Sequence, residues 1–531
     1  MGAVELTLLL LSSGVVYLVY SLNRQRRRFR DLPKPPHSFL WGHLNLMREI
    51  AGALPPDMHP QAYLTVIAQK YNLKGVWYLD LWPLAYDQVV LTEPEPMDAV
   101  QDDMLIHRRH RKAEESLGPL VGSNAIAAAN GTVWKQLHHA MAPAFSTSHV
   151  RTQVGLMVAE TLLFYDTLKD FSRSKNVFSM EAEASKLVFD IVGRIVFDFP
   201  LYAQTKGGTW DLKIIQKLAK ESQSMNPLTK IKVVLEKRSV QMRVDQSIRA
   251  KISERLGMVK TMDTAPSQRK ILSILDLMLR EMLLDKRSIE SEKEVILEEK
   301  EIELLISNVK VLLLAGHGTV VDTLCYVFML LSKNPYTFQR LREEHNKVFG
   351  EDRSSTAQTL KDYPTKLNEL EYTTAVIKET LRIFPVGFAL REAPSDATLV
   401  YNNRTYPIGD AIIVPCWHTM HFDPRYYPEP DDFRPERFTG DGIPRSWFRS
   451  FSRGSRACLG QNLSLDILRI ILLLTVRDFD FTCHGLNPNA KPKATYTNLD
   501  TIYGDVVFQE LGGLEARPRG GMMMTVANSE P

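Results

Sequence analysis

The decapeptide FSRGSRACLG at residues 451–460 limits what this chain can fold into more than any other stretch. Gly454 and Gly460 bracket Cys458, Arg456 stands two positions before it, and Phe451 opens the run. An apolar segment from Leu459 to about Val476 follows and predicts a helix leaving the cysteine. A sulfur at a helix N-terminus beside a cation is expected as thiolate, because the helix dipole and the charge both favour the ionised form. The glycines let backbone approach a flat ligand with no Cβ in the way, and Arg456 could pair with a carboxylate of that ligand. A haem iron held by the thiolate of Cys458 satisfies all of these demands. A buried structural cysteine is the plainer reading of the residue taken alone.

The rest of the chain bounds the setting. Its 531 residues, 44% hydrophobic and 24% charged, suffice for one large globular domain or several average ones. A net charge of +3 suggests no nucleic-acid partner. Cys325, Cys416, Cys458 and Cys483 are widely spaced with no C-x-x-C pair, so a reducing compartment without disulfides is expected, Cys325 and Cys416 being core residues. From Leu6 to Leu22 a mostly apolar run carries no charge, and a span of roughly 17–20 residues just crosses a bilayer. Arg24, Arg26, Arg27, Arg28 and Arg30 follow at once, which sets the bulk of the chain on the cytosolic side. A cleaved signal peptide, the rival, would carry its basic residues before the apolar run. Residues 1–22 therefore read as a single transmembrane anchor. Residues 23–36, basic and then Leu32-Pro33-Lys34-Pro35-Pro36, read as a stiff hinge, and 37–531 as the folded body. On that side the sequons at Asn130, Asn403 and Asn462 are expected to stay unmodified.

Within the body, 76–82 and 88–92 are short, β-branched or aromatic runs that predict paired strands. Residues 116–131, with glycine and alanine, read as a mobile loop able to cover a ligand. A helix then starts near Trp134, which shares a face with His138 four residues on. Residues 186–197 have the spacing of a core helix, while 210–260 alternate basic and apolar positions and name no ligand. From about 298 to 332 runs a long helix, acidic first and then apolar all round, so its middle is expected to be buried. Inside it lies Ala315-Gly316-His317-Gly318-Thr319. Each glycine costs roughly 1 kcal/mol against alanine in a helix; closeness to a flat ligand or a local opening of the hydrogen-bond ladder would justify that cost. Glu379 and Arg382 share a helix face, Pro435-Glu436-Arg437-Phe438 brings a second guanidinium, and Phe384 to Arg391 is extended. The fold class is mainly α with small β-sheets.

The cysteine loop, the E-x-x-R pair and the P-E-R-F box, in this order, resemble the cytochromes P450. Trp41-Gly42-His43-Leu44 and the stretch from His418 to Phe438 resemble microsomal P450s of filamentous fungi, which often serve secondary-metabolite pathways. The resemblance implies a P450 fold behind the transmembrane helix and haem b ligated by Cys458, with Phe451, Gly454, Arg456 and Gly460 in its binding loop. It implies that Trp134, His138 and Arg391 reach the haem propionates, and residues 210–260 roof the cavity. Glu379, Arg382 and Arg437 would form a buried structural triad, and Val386, Gly387 and Phe388 would line the substrate pocket. Two departures stand out. The family's W-x-x-x-R has His138 here, which makes an ion pair pH-dependent or replaces it by a neutral hydrogen bond. The family's A-G-x-(D/E)-T, with Gly316 and Thr319 in place, has Gly318 where an acid feeds protons. An ordered water, Asp322 one turn beyond Thr319, or a reaction that bypasses ordinary oxygen activation would then answer for the missing carboxyl. The implied activity inserts one atom of O2 into a lipophilic terpenoid or polyketide, at the endoplasmic reticulum membrane facing the cytosol, with electrons from NADPH through a separate P450 reductase. Desaturation, ring formation or rearrangement is the second reading, and a haem-binding protein without catalysis the third.

Overall fold

Capping and apolar spacing account for the helices that frame the site. The computed structural model describes residues 3–102, 108–122, 124–206, 227–262, 272–289, 296–440, 442–511 and 515–529. The helices that matter here are α1 (Ala3–Arg28), α2 (Arg111–Val121), α3 (Gly131–Met141), α4 (Met180–Phe197), α5 (Pro227–Met262), α6 (Glu299–Lys333), α7 (Glu371–Ile383) and α8 (Gln461–Thr475). Helix α4 starts where the Ser179 hydroxyl accepts from the Ala182 N–H. At the start of α6 Glu298 and Glu301 form a reciprocal capping box. Helix α6 packs along α4 through the centre of the molecule, and its segment from Val320 to Leu331 is buried on every face. Among the described residues α6 is also the one helix long and apolar enough to cross a membrane, and 56% of its apolar window is buried inside the fold. That is the signature of a core helix.

Five short strands form the larger sheet: β1 (Val76–Leu79), β2 (Gln88–Leu91), β3 (Arg108–Arg109), β4 (Arg391–Glu392) and β5 (Ile412–Pro415). Their order is β1–β2–β5–β4–β3, with β2 and β5 parallel and the other neighbours antiparallel. Register sets Arg109 directly opposite Arg391. A two-stranded hairpin, β6 (Glu510–Leu511) and β7 (Ala516–Arg517), lies near the C-terminus and touches α6.

Two expectations meet a different structure, and a third falls partly outside the described residues. The loop expected over 116–131 begins only after Val121, because Ala113, Leu117 and Val121 recur at helical spacing and Val121 packs on Val311 of α6. The hydrogen-bond ladder of α6 is not opened at its glycines; the helix runs unbroken from Glu299 to Lys333. Residues 207–226, which hold the first third of the roof expected over 210–260, lie outside the described residues, and α5 occupies 227–262.

Helix α1 continues through the basic stretch to Arg28. Leu11, Val15, Val16, Tyr17, Leu18, Val19 and Tyr20 stand 50–73% exposed along it. Its last turns, by contrast, are fastened to the body: Arg26 is buried against Asp80, whose carboxylate also meets His37 at 2.8 Å and Gln25 at 3.2 Å.

Candidate active site

A cavity of about 380 Å³ lies between α6 and the loop that carries Cys458. The loop is held by its own backbone: the Cys458 N–H donates to Phe451 O at 2.9 Å, and the Ala457 N–H to Gly454 O at 3.0 Å. Gly454 has φ +71°, a conformation that a Cβ opposes. A Cβ added at Gly460 would rest 3.9 Å from the Cys458 sulfur, an ordinary contact, so space alone does not require glycine there. Cys458 is exposed, and it lines the cavity. Burial pushes its thiol up from the ordinary value; the Gly460 N–H and the Arg109 charge pull the other way and do not prevail. Desolvation thus opposes the ionised form that the helix end and the cation favour. A cation bound to the sulfur would displace its proton.

Three guanidinium groups face the same cavity: Arg109, Arg391 and Arg456. None has a carboxylate partner among the described residues. Arg391 is fully buried, and its Nε, Nη1 and Nη2 all lack hydrogen-bond partners. Burial, with Arg109 and Arg456 beside it, pushes Arg391 well below the ordinary arginine range. Arg456 is anchored by donating to Ala129 O and Asn130 Oδ1, each at 2.9 Å, and lies 4.0 Å from the Trp134 ring centre. Asn130 also bridges to the Arg109 backbone at 2.9 Å in both directions, which occupies the side chain of that sequon. Trp134 and His138 line the cavity one turn apart on α3, their ring centres 5.1 Å from each other. Burial, then Arg456, holds His138 below its ordinary value, so it is neutral near pH 7.

Opposite the loop, α6 presents Ala315, Gly316, Thr319 and Thr323. The Thr319 hydroxyl donates to Ala315 O at 2.7 Å. The two glycines have different reasons. A Cβ at Gly316 would meet Val192 of α4 at 3.4 Å, an ordinary contact, whereas one at Gly318 would fall 2.6 Å from Oε1 of Glu515. His317 turns away from the cavity: its Nε2 meets the Ser185 hydroxyl at 2.9 Å and the Ser185 carbonyl at 3.1 Å. Gly318 and Gly454 do not line the cavity; the other residues expected to bind cofactor or substrate do, including Val386, Gly387 and Phe388.

Behind the loop Glu379 of α7 accepts twice from Arg382, at 2.8 Å each, and from Arg437 at 3.3 Å. Arg382 also donates to the His421 carbonyl at 2.9 Å, and Arg437 to the Glu429 carbonyl at 2.6 Å. Glu379 and Arg382 are wholly buried.

The cytochrome P450 family profile matches residues 33–500. The chain belongs to the cytochrome P450 family. It is 30% identical over 508 residues to the cytochrome P450 monooxygenase acrF of Aspergillus aculeatus, covering 90% of this chain and 99% of that one. To the cytochrome P450 monooxygenase ptmG of Penicillium ochrochloron it is 29% identical over 517 residues, 96% of this chain and 93% of the relative. A pig protein, cytochrome P450 4A24, is 25% identical over 522 residues, covering 92% of each. The protein is an enzyme of this family, a P450 monooxygenase with the helix-rich P450 fold.

The residues of this P450 fit a haem. A thiol faces a cavity whose rim holds three arginines with no internal carboxylate, and two of them stand opposite each other on β3 and β4, an arrangement that costs stability until an anion arrives. The two carboxylates of a haem are such an anion. Arg109 escaped sequence reasoning because Arg108-Arg109-His110-Arg111-Lys112 reads as a solvated charge run; its pairing with Arg391 is what marks it. Glu515 escaped because nothing in the sequence links it to Gly318.

Proposed function

We propose that the chain is a membrane-anchored haem-thiolate monooxygenase that inserts one oxygen atom into a lipophilic secondary-metabolite intermediate, a terpenoid or polyketide. The observation that carries this reading is the cavity itself, a cysteine thiol and three carboxylate-free arginines at one side and the Gly316–Thr319 face of α6 at the other. Cys458 would ligate the iron, its proton displaced by the metal. Arg391, Arg109 and Arg456 would hold the propionates, with Trp134 and neutral His138 as hydrogen-bond partners in place of the family's arginine. When bound, haem supplies the activation of dioxygen. Thr319 would hold a proton beside the reacting oxygen, and the triad of Glu379, Arg382 and Arg437 would keep the loop in place. Val192, Val196, Leu312, Val386 and Phe388 make much of the remaining lining apolar, which suits a lipophilic substrate.

The exposed apolar side chains of α1, followed by its arginines, support an anchor in the endoplasmic reticulum membrane with the body in the cytosol. The chain carries no dinucleotide or flavin fingerprint, so electrons would come from NADPH through a separate P450 reductase. Desaturation, ring formation or rearrangement remains the second reading because position 318 lacks the usual acid.

The test is metabolite profiling of a strain lacking the gene, together with turnover by the full-length protein in membranes with reductase and NADPH. A mass gain of one oxygen supports insertion, and loss of two hydrogens or no mass change supports the second reading. Cys458→Ala should abolish both turnover and the reduced carbon monoxide band; turnover that survives it refutes both.

A further inference from the structure

Oxygen insertion consumes protons at a defined place. In one turnover a C–H bond and the O–O bond break, one oxygen enters the substrate as hydroxyl, and the other leaves as water. Two electrons come from NADPH through the reductase, and two protons come, in net, from NADPH and solvent. On the wall of α6 nothing titratable projects from position 318, and His317 is committed to Ser185, held by burial down to about 4.

The space beside position 318 is nevertheless occupied by a carboxyl. Oε1 of Glu515 lies 2.6 Å from where a Cβ would stand on Gly318, its Cδ 2.9 Å and its Cγ 3.3 Å. Glu515 arrives from another part of the chain, at the head of β7. That strand is fixed to the pocket segment by the Ala516 N–H, which donates to Val386 O at 2.9 Å. We infer that Glu515 supplies from the C-terminal hairpin the acid that α6 lacks at position 318, and that glycine stands there to admit it.

Two further observations support this. Asp322, one turn along the same face of α6, is buried with its Oδ2 unpartnered. Burial first, then the charge of Glu515, raises it well above its ordinary value, so the Asp322 carboxyl behind Glu515 holds its proton more tightly than an exposed one. Outward, Arg517 and Glu510 of the hairpin and Glu181 of α4 are half-buried and linked: Arg517 reaches Glu510 at 2.5 Å and Glu181 at 4.0 Å. In this inference a proton given up by Glu515 is replaced along this charged surface. The inference rests on the monooxygenase reading and deepens it: a carboxyl brought from the hairpin means that the glycine need not signal a different reaction.

The test uses full-length holoenzyme with reductase. Glu515→Gln should retain the reduced carbon monoxide band and consume NADPH. Its product per NADPH should fall about tenfold or more, within or just below the ~10²- to 10⁴-fold span of general acid catalysis because water takes over in part. Hydrogen peroxide should rise to match and the solvent isotope effect on product formation should grow, while Glu515→Asp restores part of the coupling. A second readout needs no turnover. Gly318→Asp should lower Tm, because two carboxyls then compete for one space, and adding Glu515→Ala should recover most of that loss together with coupling. Unchanged coupling and isotope effect in Glu515→Gln, or a Gly318→Asp penalty equal in both backgrounds, overturns the inference. Should Glu515→Gln fail to load haem, the double variant decides: recovered coupling upholds the inference, and a loaded but uncoupled double variant overturns it. Absence of the carbon monoxide band from the unsubstituted protein would instead refute the monooxygenase reading beneath it.

Discussion

Replacing Arg391 by methionine should have opposite effects on the haem-free and haem-bound protein. Arg391 is wholly buried, its three guanidinium nitrogens lack partners, and Arg109 sits across from it on the neighbouring strand. Methionine keeps an unbranched stem of similar reach and removes a buried charge that no protein group compensates. By the behaviour of buried ions exchanged for apolar side chains, the haem-free protein should gain about 1–4 kcal/mol. The haem-bound protein should lose a buried partner of a propionate, about 2–5 kcal/mol, or roughly 30- to 5000-fold in haem affinity. Denaturant unfolding of protein from haem-limited cells reads the first effect, and haem titration followed by absorbance the second. Arg391→Lys, which keeps charge but not the fork, should fall between. Destabilisation of the haem-free variant would show that the arginine is already satisfied within the fold, and unchanged haem affinity would show that it does not face the propionates. Either result refutes the reasoning.

Other outcomes follow from the same physics. Glu379→Gln strands two buried guanidinium groups and should cost about 3–5 kcal/mol, seen as loss of the haem band on mild heating. Arg26→Met leaves the Asp80 carboxylate buried with only His37 and Gln25, so a loss near the lower end of that ~3–5 kcal/mol range is expected by thermal unfolding in detergent. Acid should destabilise the protein in part through His317, which burial holds at about 4 against an ordinary 6.5. Between those values the unfolded chain binds a proton that the folded chain refuses. Stability therefore falls as pH drops from 6.5 to 4, by about 3 kcal/mol in all at ~1.4 kcal/mol per unit, and is level outside that window. His317→Gln should flatten unfolding free energy against pH by up to one proton over that window.

What the sequence disclosed was whatever a local pattern carries. The cysteine loop, the E-x-x-R pair and the core helix α6 were legible because their meaning lies within a few residues or one helical period. The loop expected at 116–131 was partly wrong because glycine and alanine drew attention from the four-residue spacing of Ala113, Leu117 and Val121. The ionisation of Cys458 is only half legible: dipole and charge can be read from neighbours in sequence, but desolvation, which opposes them, is set by everything packed around the sulfur. Arg109 and Glu515 matter only through what the fold sets beside them, Arg391 across a strand pair and Gly318 across a helix–hairpin contact.

The central claim is that Cys458 and the cavity above it insert one atom of dioxygen into an apolar compound. The most direct measurement is turnover in membranes with reductase and NADPH under isotopically labelled dioxygen, run beside Cys458→Ala and read by mass spectrometry. The expected result is a product carrying one labelled oxygen atom that disappears with the cysteine. A product without label, or label that persists in Cys458→Ala, would contradict the claim.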